Sequence, residues 1–139
     1  MQSVTFQVPG KPQGKARAKT VRNKSTGNIH SYTPEKDMLY ENYIKAQFQN
    51  RANGFYLERG KPVMLRIIAR FLPPKSVSKK RQLDMLEGRE LPLKKPDIDN
   101  IVKVVADAYH DDTQIAMVIA AKTYSAMEGL DITVEEYVG

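Results

Sequence analysis

The sequence predicts an α+β fold, with one four-stranded mixed or antiparallel sheet packed against helices in the order β-α-β-α-α-β-β. Three observations predict it. Short segments near both ends and in the middle of the chain alternate apolar with polar residues, as half-buried strands do. Two longer segments repeat apolar residues three and four positions apart, as helices do. The 139 residues, 41% of them hydrophobic, are the size of one domain, which we expect over residues 1–139.

The first predicted strand contains Val4, Phe6 and Val8, which alternate with polar residues before a Pro-Gly turn. The segment that follows is basic, rich in Gly, Ser, Asn and Thr, and without helical periodicity. We therefore expect a long loop or arm over residues 9–32, named the basic arm below.

The first helix is predicted from Thr33 to about Arg51. Thr33 is a suitable N-cap, Pro34 fits the first helical position, and acidic residues follow near the positive end of the helix dipole. An apolar stripe at helical spacing is expected to face the core. It consists of Tyr40, Tyr43, Ile44 and Phe48.

A second strand is predicted over residues 63–71, where apolar residues alternate with a mixed face, and two prolines stop it. Ser76 or Ser78 can then cap a short basic helix. Gly88 is a suitable C-terminal stop for that helix.

The strongest helical pattern begins at Ile98. Its apolar positions are Ile98, Ile101, Val102, Val105, Ala106 and Tyr109. They follow the spacing of one helix face, which predicts a helix from Ile98 to Tyr109. Asp99, Lys103 and Asp107 form a polar stripe on its other side.

Two strands are predicted after this helix. Residues 114–124 are apolar on both faces, which indicates a central strand. Residues 130–138 alternate, which indicates a half-exposed edge strand. Residues 125–129, which include Gly129, are expected to form the hairpin turn between them.

The composition excludes several kinds of chemistry. Because the chain has no cysteine, it has no disulfides, no thiolate nucleophile and no cysteine-based zinc site. Its first residues do not resemble a signal peptide, and no apolar run approaches membrane-spanning length. We expect a soluble cytoplasmic protein without a membrane partner, in which any metal is bound by oxygen ligands.

The net charge of +6 is unevenly distributed. Residues 1–34 carry six basic and no acidic side chains, whereas residues 97–139 carry two basic and nine acidic ones. A basic body around a small acidic focus suits a polyanion that is bound by lysine and arginine and cut at a metal. A solvated, charge-segregated surface would also explain the basic run.

Two acidic clusters flank the last predicted helix, namely Asp97 with Asp99 and Asp111 with Asp112. Four carboxylates this close suggest a divalent-cation site, because converging carboxylates lose solvation unless a cation neutralises them. Taken singly, Asp97 or Asp99 can also be an ordinary helix cap. The helix is about 17 Å long at about 1.5 Å per residue, so the sequence alone does not guarantee that the clusters converge.

Two residues near the clusters have more than one interpretation. Lys103 can form a salt bridge with Asp99 four residues earlier, or it can contact a phosphate or a leaving group. His110 can be a metal ligand, a general base or a partly exposed structural histidine.

The run Lys95-Pro96-Asp97-Ile98-Asp99-Asn100-Ile101-Val102-Lys103, followed by Asp111-Asp112-Thr113-Gln114, resembles the RusA family of Holliday-junction resolvases, which is common in prophages. Pro9-Gly10-Lys11-Pro12 and Pro73-Pro74-Lys75-Ser76 extend the resemblance over nearly the whole chain. One departure is the short connection to the acidic pair, which many members have longer.

The resemblance implies a crossover junction endodeoxyribonuclease that hydrolyses a phosphodiester in each of two opposed DNA strands during recombination and repair. It implies Mg²⁺ or Mn²⁺ as the cofactor and no small-molecule cofactor. Asp97, Asp99 and Asp112 are the implied catalytic metal ligands. Asp111 is an implied helper, and Lys103 an implied participant in catalysis.

Two symmetric cuts require two sites and one chain carries one, so we expect a C2 homodimer on a four-way junction. The expected phosphate contacts are Lys11, Lys15, Arg17, Lys79, Lys80 and Lys95. Two alternatives stay open. One is a metal-dependent nuclease of other branched DNA, such as flaps or forks, and the other is a non-catalytic phage DNA-binding protein whose acids cap helices.

Overall fold

A computed structural model describes residues 2–15, 19–32, 35–53, 55 and 57–139. The elements in chain order are β1 (Ser3–Pro9), β2 (Lys19–Arg22), β3 (Ile29–Tyr32), α1 (Glu35–Arg51), β4 (Val63–Phe71), α2 (Lys79–Leu86), α3 (Ile98–Ala108), β5 (Ile115–Tyr124) and β6 (Gly129–Glu136). A 3₁₀ turn, Asp112–Gln114, precedes β5.

Four strands form one mixed sheet in the order β1-β6-β4-β5. β6 is antiparallel to both of its neighbours, whereas β5 runs parallel to β4. The predicted α+β fold with a four-stranded mixed sheet is confirmed. Parallel strands need a long crossover connection, and α2 and α3 lie in the connection between β4 and β5.

The expected positions of the last two strands are reversed. β6 lies inside the sheet, and the outer edge of β5 pairs with no strand among the described residues. The residues Met117, Val118 and Ile119 are 40%, 39% and 51% exposed. The prediction was wrong because an apolar run indicates a surface to be covered but not which element covers it.

The predicted hairpin turn between these strands is also wrong. β5 and β6 pair with opposite sides of β4, so residues 125–128 cross the end of that strand. There the backbone N–H of Ser125 donates a hydrogen bond to the carbonyl of Phe71 (2.8 Å). Short connections usually join paired strands, but here β4 lies between them.

The basic arm contains a two-stranded antiparallel hairpin, β2 with β3, that the sequence prediction missed. Asn23 organises its turn, because Asn23 Oδ1 accepts hydrogen bonds from the backbone N–H groups of Ser25 (2.9 Å) and Thr26 (3.3 Å). Gly27 has a φ of 73°, which glycine adopts without steric cost. Strands of four residues are too short to show a clear periodicity.

The core lies between one face of the sheet and helices α1 and α3. The buried residues of β4 are Val63, Leu65, Ile67, Ala69 and Phe71. Phe48 of α1 contacts Phe6 of β1, with 4.5 Å between the ring centroids. The predicted stripe of α1 is confirmed at Tyr40, Ile44 and Phe48, whereas Tyr43 is 39% exposed.

The ends predicted for α1 and α2 can be compared with the structure at the C-terminus of α1 and at the N-terminus of α2. α1 ends at Arg51 as predicted, and its predicted start at Thr33 and Pro34 lies outside the described residues. In α2, Ser78 is the N-cap, since its Oγ accepts a hydrogen bond from the backbone N–H of Arg81 (3.2 Å).

In the part of the chain that the structure describes, no helix has the length and apolar character to cross a membrane.

α3 begins at Ile98 as predicted but buries a slightly rotated face. The buried side chains are Ile101, Val104, Val105 and Ala108. Ile98, which was expected in the core, is 40% exposed, whereas Val104 is fully buried. The polar stripe of Asp99, Lys103 and Asp107 stays outside this buried face.

Candidate active site

Asp97 and Asp99 lie at the exposed N-terminus of α3. Asp97 is the N-cap residue in an extended conformation, but its side chain makes no capping hydrogen bond. That side chain is 57% exposed, and its Oδ2 lies 3.8 Å from Lys95 Nζ. Asp99 is an exposed residue of the first turn. Side-chain capping therefore does not account for Asp97, and both carboxylates have oxygens available to a ligand.

Lys122 of β5 holds the chain that enters α3. Its Nζ donates hydrogen bonds to the carbonyls of Lys94 (2.6 Å) and Pro96 (3.1 Å). The sequence prediction missed this role. The available signal was that Lys122 is one of two basic residues after residue 96 and interrupts an otherwise apolar strand.

The second acidic pair follows the C-terminal end of α3. Asp111 caps the 3₁₀ turn, because its Oδ1 accepts hydrogen bonds from the Thr113 backbone N–H (3.2 Å) and from Thr113 Oγ1 (2.5 Å). These bonds hold the pKa of Asp111 below its ordinary value. Asp112 is exposed, and within the described residues no hydrogen bond or ion pair engages its carboxylate. Asp112 is therefore the more available ligand of the two.

Gln114, the last residue of the Asp-Asp-Thr-Gln run, fixes this turn to the loop before β4. It is buried, and its Nε2 donates hydrogen bonds to the carbonyls of Leu57 (3.3 Å), Glu58 (2.7 Å) and Lys61 (3.2 Å). The amide thus positions the acidic pair without contacting either carboxylate.

The two acidic clusters remain apart in one chain. They flank α3, whose 11 residues span about 17 Å at about 1.5 Å per residue. In residues 2–15, 19–32, 35–53, 55 and 57–139, no group of three or more His, Cys, Asp or Glu side chains is placed to hold a metal ion. A metal site formed by Asp97, Asp99, Asp111 and Asp112 together stays a prediction.

Lys103 pairs with a different carboxylate from the one expected. Its Nζ lies 3.4 Å from Oδ2 of Asp107, four residues later, and its side chain is 62% exposed. Of the two roles left open for Lys103, the salt bridge is therefore made with Asp107 and not with Asp99, and Lys15 Nζ lies 2.6 Å from the same oxygen. Asp99 therefore remains available beside the exposed stem of Lys103.

His110 is exposed, and its ring lies 4.5 Å from the ring of Tyr109, centroid to centroid. Tyr109 is buried at the end of α3, and its hydroxyl accepts a hydrogen bond from the backbone N–H of Leu57 (3.3 Å). The two rings are tilted by 59° to each other, and His110 directly precedes the acidic pair in the chain. Its role as a ligand or general base stays a prediction.

The predicted phosphate contacts that the structure describes have two kinds of surroundings. Lys11, Lys79, Lys80 and Lys95 are exposed. Lys15 is different, because its ammonium is bound by two carboxylates, those of Glu41 and Asp107. Arg17 lies outside the described residues.

The start of α3 thus presents exposed carboxylates and a lysine on a basic α+β domain. The family described as Endodeoxyribonuclease RusA matches residues 9–135, and the chain belongs to this RusA family. The Uncharacterized protein YqaN of Bacillus subtilis (strain 168) is 32% identical to it over an alignment of 146 positions that covers 98% of each chain. The family is one of DNA endonucleases that act on branched DNA, so the prediction that the chain is an endodeoxyribonuclease is confirmed.

Proposed function

We propose that the protein is a Mg²⁺-dependent crossover junction endodeoxyribonuclease that makes paired symmetric nicks in four-way DNA junctions, in the cytoplasm, during recombination and repair. The observation that carries this proposal is the exposed start of α3. There Asp97 and Asp99 are available as ligands, and Lys103 follows Asp99 on the same side. Membership of the RusA family supports the DNA substrate.

The donors at this end of the helix fit a hard divalent cation. Mg²⁺ prefers carboxylate oxygens, and Mn²⁺ accepts the same ligands. Such an ion, when bound, polarises the scissile phosphate and lowers the pKa of an attacking water. Lys103 places a fixed positive charge where negative charge develops on the phosphate. Asp97 and Asp99 are positioned by the N-cap and the first turn of α3, and a regular helix holds such side chains more precisely than a loop does.

The free edge of β5 is the surface that we propose for a second copy of the chain. An edge strand presents unpaired backbone N–H and C=O groups, and natural edges usually carry charges or prolines that prevent pairing. Residues 115–121 contain neither, and the exposed patch on this strand is centred on Val118. The edge therefore favours antiparallel pairing of β5 with β5 of a second copy about a two-fold axis.

This symmetry would bring the acidic clusters of different chains together. With the axis at Val118, Gln114 of one copy lies opposite Lys122 of the other, since both are four residues from the axis. Lys122 binds the carbonyl of Pro96, the residue before Asp97. Asp112 of one copy would then approach Asp97 and Asp99 of the other. Two such sites, related by the axis, suit two cuts in opposed strands.

The junction phosphates would be bound around these sites by exposed lysines. The proposed contacts are Lys11, Lys79, Lys80 and Lys95, together with Arg17. Charge neutralisation by such contacts releases counterions from DNA, so junction binding should weaken steeply as salt is raised.

Cleavage of matched DNA substrates tests the proposal. With purified protein and Mg²⁺, we expect paired nicks in a four-way junction, much slower cutting of a flap and of linear duplex, and no cutting when EDTA is present. Preferential flap or fork cutting would support the alternative branched-DNA nuclease instead. Predominant cutting of linear duplex, or tight binding with no cutting in Mg²⁺ or Mn²⁺, would contradict the proposal.

A further inference from the structure

Lys15 forms a bridge between α1 and α3. Its Nζ lies 2.9 Å from Oε1 of Glu41 on α1 and 2.6 Å from Oδ2 of Asp107 on α3. The three side chains are only 17–18% exposed. An ammonium shielded in this way and bound by two carboxylates has little capacity left for a DNA phosphate.

The backbone beside Lys15 is also attached to α3. Its N–H donates a hydrogen bond to the carbonyl of Asn100 (2.9 Å). A Cβ at Gly14 would lie 2.8 Å from Asn100 Cβ, closer than real Cβ atoms approach, and 3.0 Å from Pro96 Cβ. Glycine at this position therefore lets the first part of the basic arm lie directly against the first turn of α3.

The bridge also affects the candidate catalytic lysine. Oδ2 of Asp107 is shared by Lys15 at 2.6 Å and Lys103 at 3.4 Å. Burial alone would lower the pKa of Lys15, but its hydrogen bonds and charge interactions with Asp107 and Glu41 raise that pKa above its ordinary value. Lys15 thus stays charged and is the closer partner of Asp107.

We propose that Lys15 is a positioning residue, not a phosphate ligand, which fixes the start of the basic arm to α3 and weakens the hold of Asp107 on the exposed Lys103, so that Lys103 can face DNA. The proposal rests on the proposed nuclease function. Without Lys15, the Asp107 carboxylate would keep Lys103 as its ion-pair partner and draw that ammonium toward itself. The arm that carries Arg17 would also lose its attachment beside Asp97 and Asp99.

The salt dependence of junction binding separates a positioning lysine from a phosphate ligand. Removing one phosphate contact makes the slope of log K against log salt less negative by about 0.9. We expect this change for Lys11→Met and no change for Lys15→Met. In single-turnover cleavage at saturating protein, Lys15→Met should be slower by about 10- to 100-fold, as expected for misplaced catalytic groups.

Three further variants make the test specific. Lys15→Arg should restore most of the cleavage rate, because a guanidinium can bind both carboxylates. Lys45→Met is the matched control, since Lys45 contacts Glu41 (3.2 Å) without joining it to α3, and should cleave normally. Glu41→Gln removes the charge of one partner and should give a smaller loss with an unchanged slope, even if Lys15→Met does not fold.

Hydrogen exchange tests the bridge independently of nuclease activity. The Lys15 amide should exchange slowly in the wild type and faster in Glu41→Gln and Lys15→Met. The proposal is overturned if that exchange does not change, or if Lys15→Met reduces the salt slope while cleaving normally at saturation. A wild-type protein that cuts no DNA would refute the proposed function. The exchange measurement would still show whether Lys15 attaches the arm to α3.

Discussion

Lys122 Nζ donates a hydrogen bond to the carbonyl of Pro96 at 3.1 Å, and this bond connects the free edge strand β5 to the residue that precedes Asp97. The same ammonium binds the carbonyl of Lys94 at 2.6 Å. A lysine bound in this way fixes the backbone on the N-terminal side of α3, where the candidate ligands lie. The proposed dimer surface and the proposed metal site are therefore parts of one structural unit.

Replacement of this lysine by Lys122→Met should loosen the start of α3. The variant loses two charge-assisted hydrogen bonds, so we expect a fall in the free energy of unfolding of about 1–3 kcal/mol and slower junction cleavage. Urea denaturation and single-turnover cleavage measure the two effects. Lys24→Met, in the exposed turn between β2 and β3, should leave the stability unchanged. Equal stability of both variants would contradict the anchoring role.

Asp99→Asn should abolish cleavage and preserve junction binding. The substitution keeps the shape of the side chain but removes the charge that a divalent cation requires, so we expect a loss of at least about 100-fold in rate. Gel-shift binding and nicking assays on the same junction separate the two properties. Asp84→Asn is a matched control, because Asp84 pairs with Arg89 on the surface (3.0 Å), and it should cleave normally. Normal cleavage by Asp99→Asn would show that the Asp99 carboxylate at the start of α3 is not needed for the reaction.

Mixing two inactive variants tests whether the site is shared between chains. In a mixed dimer of Asp99→Asn and Asp112→Asn, one composite site carries both changes and the other site carries neither. We therefore expect the mixture to regain nicking of one strand, while each variant alone stays inactive. If each site were built within one chain, both sites of the mixed dimer would be defective and no activity would return.

Val118→Lys should disrupt the proposed dimer. Val118 is 39% exposed in one chain, so the lysine can be tolerated by the fold but places like charges at the two-fold axis. Sedimentation should show a monomer with an unchanged circular dichroism spectrum and no cleavage. Met127→Lys, at a residue that is 72% exposed in the β5–β6 connection, should remain dimeric. A monomeric Val118→Lys variant that still cuts junctions would refute the composite site.

Local sequence patterns were sufficient to predict helix α3 and the acidic residues at its start, because helix periodicity and N-terminal signals act within a few residues. They were not sufficient for β5 and β6, whose places depend on which strands pair across the whole chain. Both strands pair with β4, and no short-range pattern contains that information. The apolar character of β5 was correctly recognised, but its exposure depends on the fact that no strand of the described residues pairs with its outer edge.

The roles of single charges were harder to predict for the same reason. Lys15 appears in a basic segment, which suggests a phosphate contact, but its partners Glu41 and Asp107 are 26 and 92 residues away. Gln114 similarly binds carbonyls 53 to 57 residues away. A sequence shows the sign of a charge directly, whereas the group that neutralises it is determined by tertiary packing.

The Asp107 carboxylate should make the stability of the protein dependent on acid pH. Burial would raise the pKa of Asp107, but the hydrogen bond to Lys15 and the charges of Lys15 and Lys103 lower it below the ordinary value of 3.8. The unfolded chain therefore takes up the proton first as pH falls. The stabilisation is present above pH 3.8 and is lost as pH falls through the folded-state pKa.

Asp107→Asn removes this titration. We expect the variant to be less stable than the wild type near neutral pH by about 1 kcal/mol, and the difference to shrink below pH 3.8. Urea denaturation of both proteins across the acid range measures it. A difference that stays constant through this range would show that the ion pairs with Lys15 and Lys103 contribute nothing to folding. A difference that disappears on acidification would attribute the stabilisation to the charged form of Asp107, the form that binds Lys15.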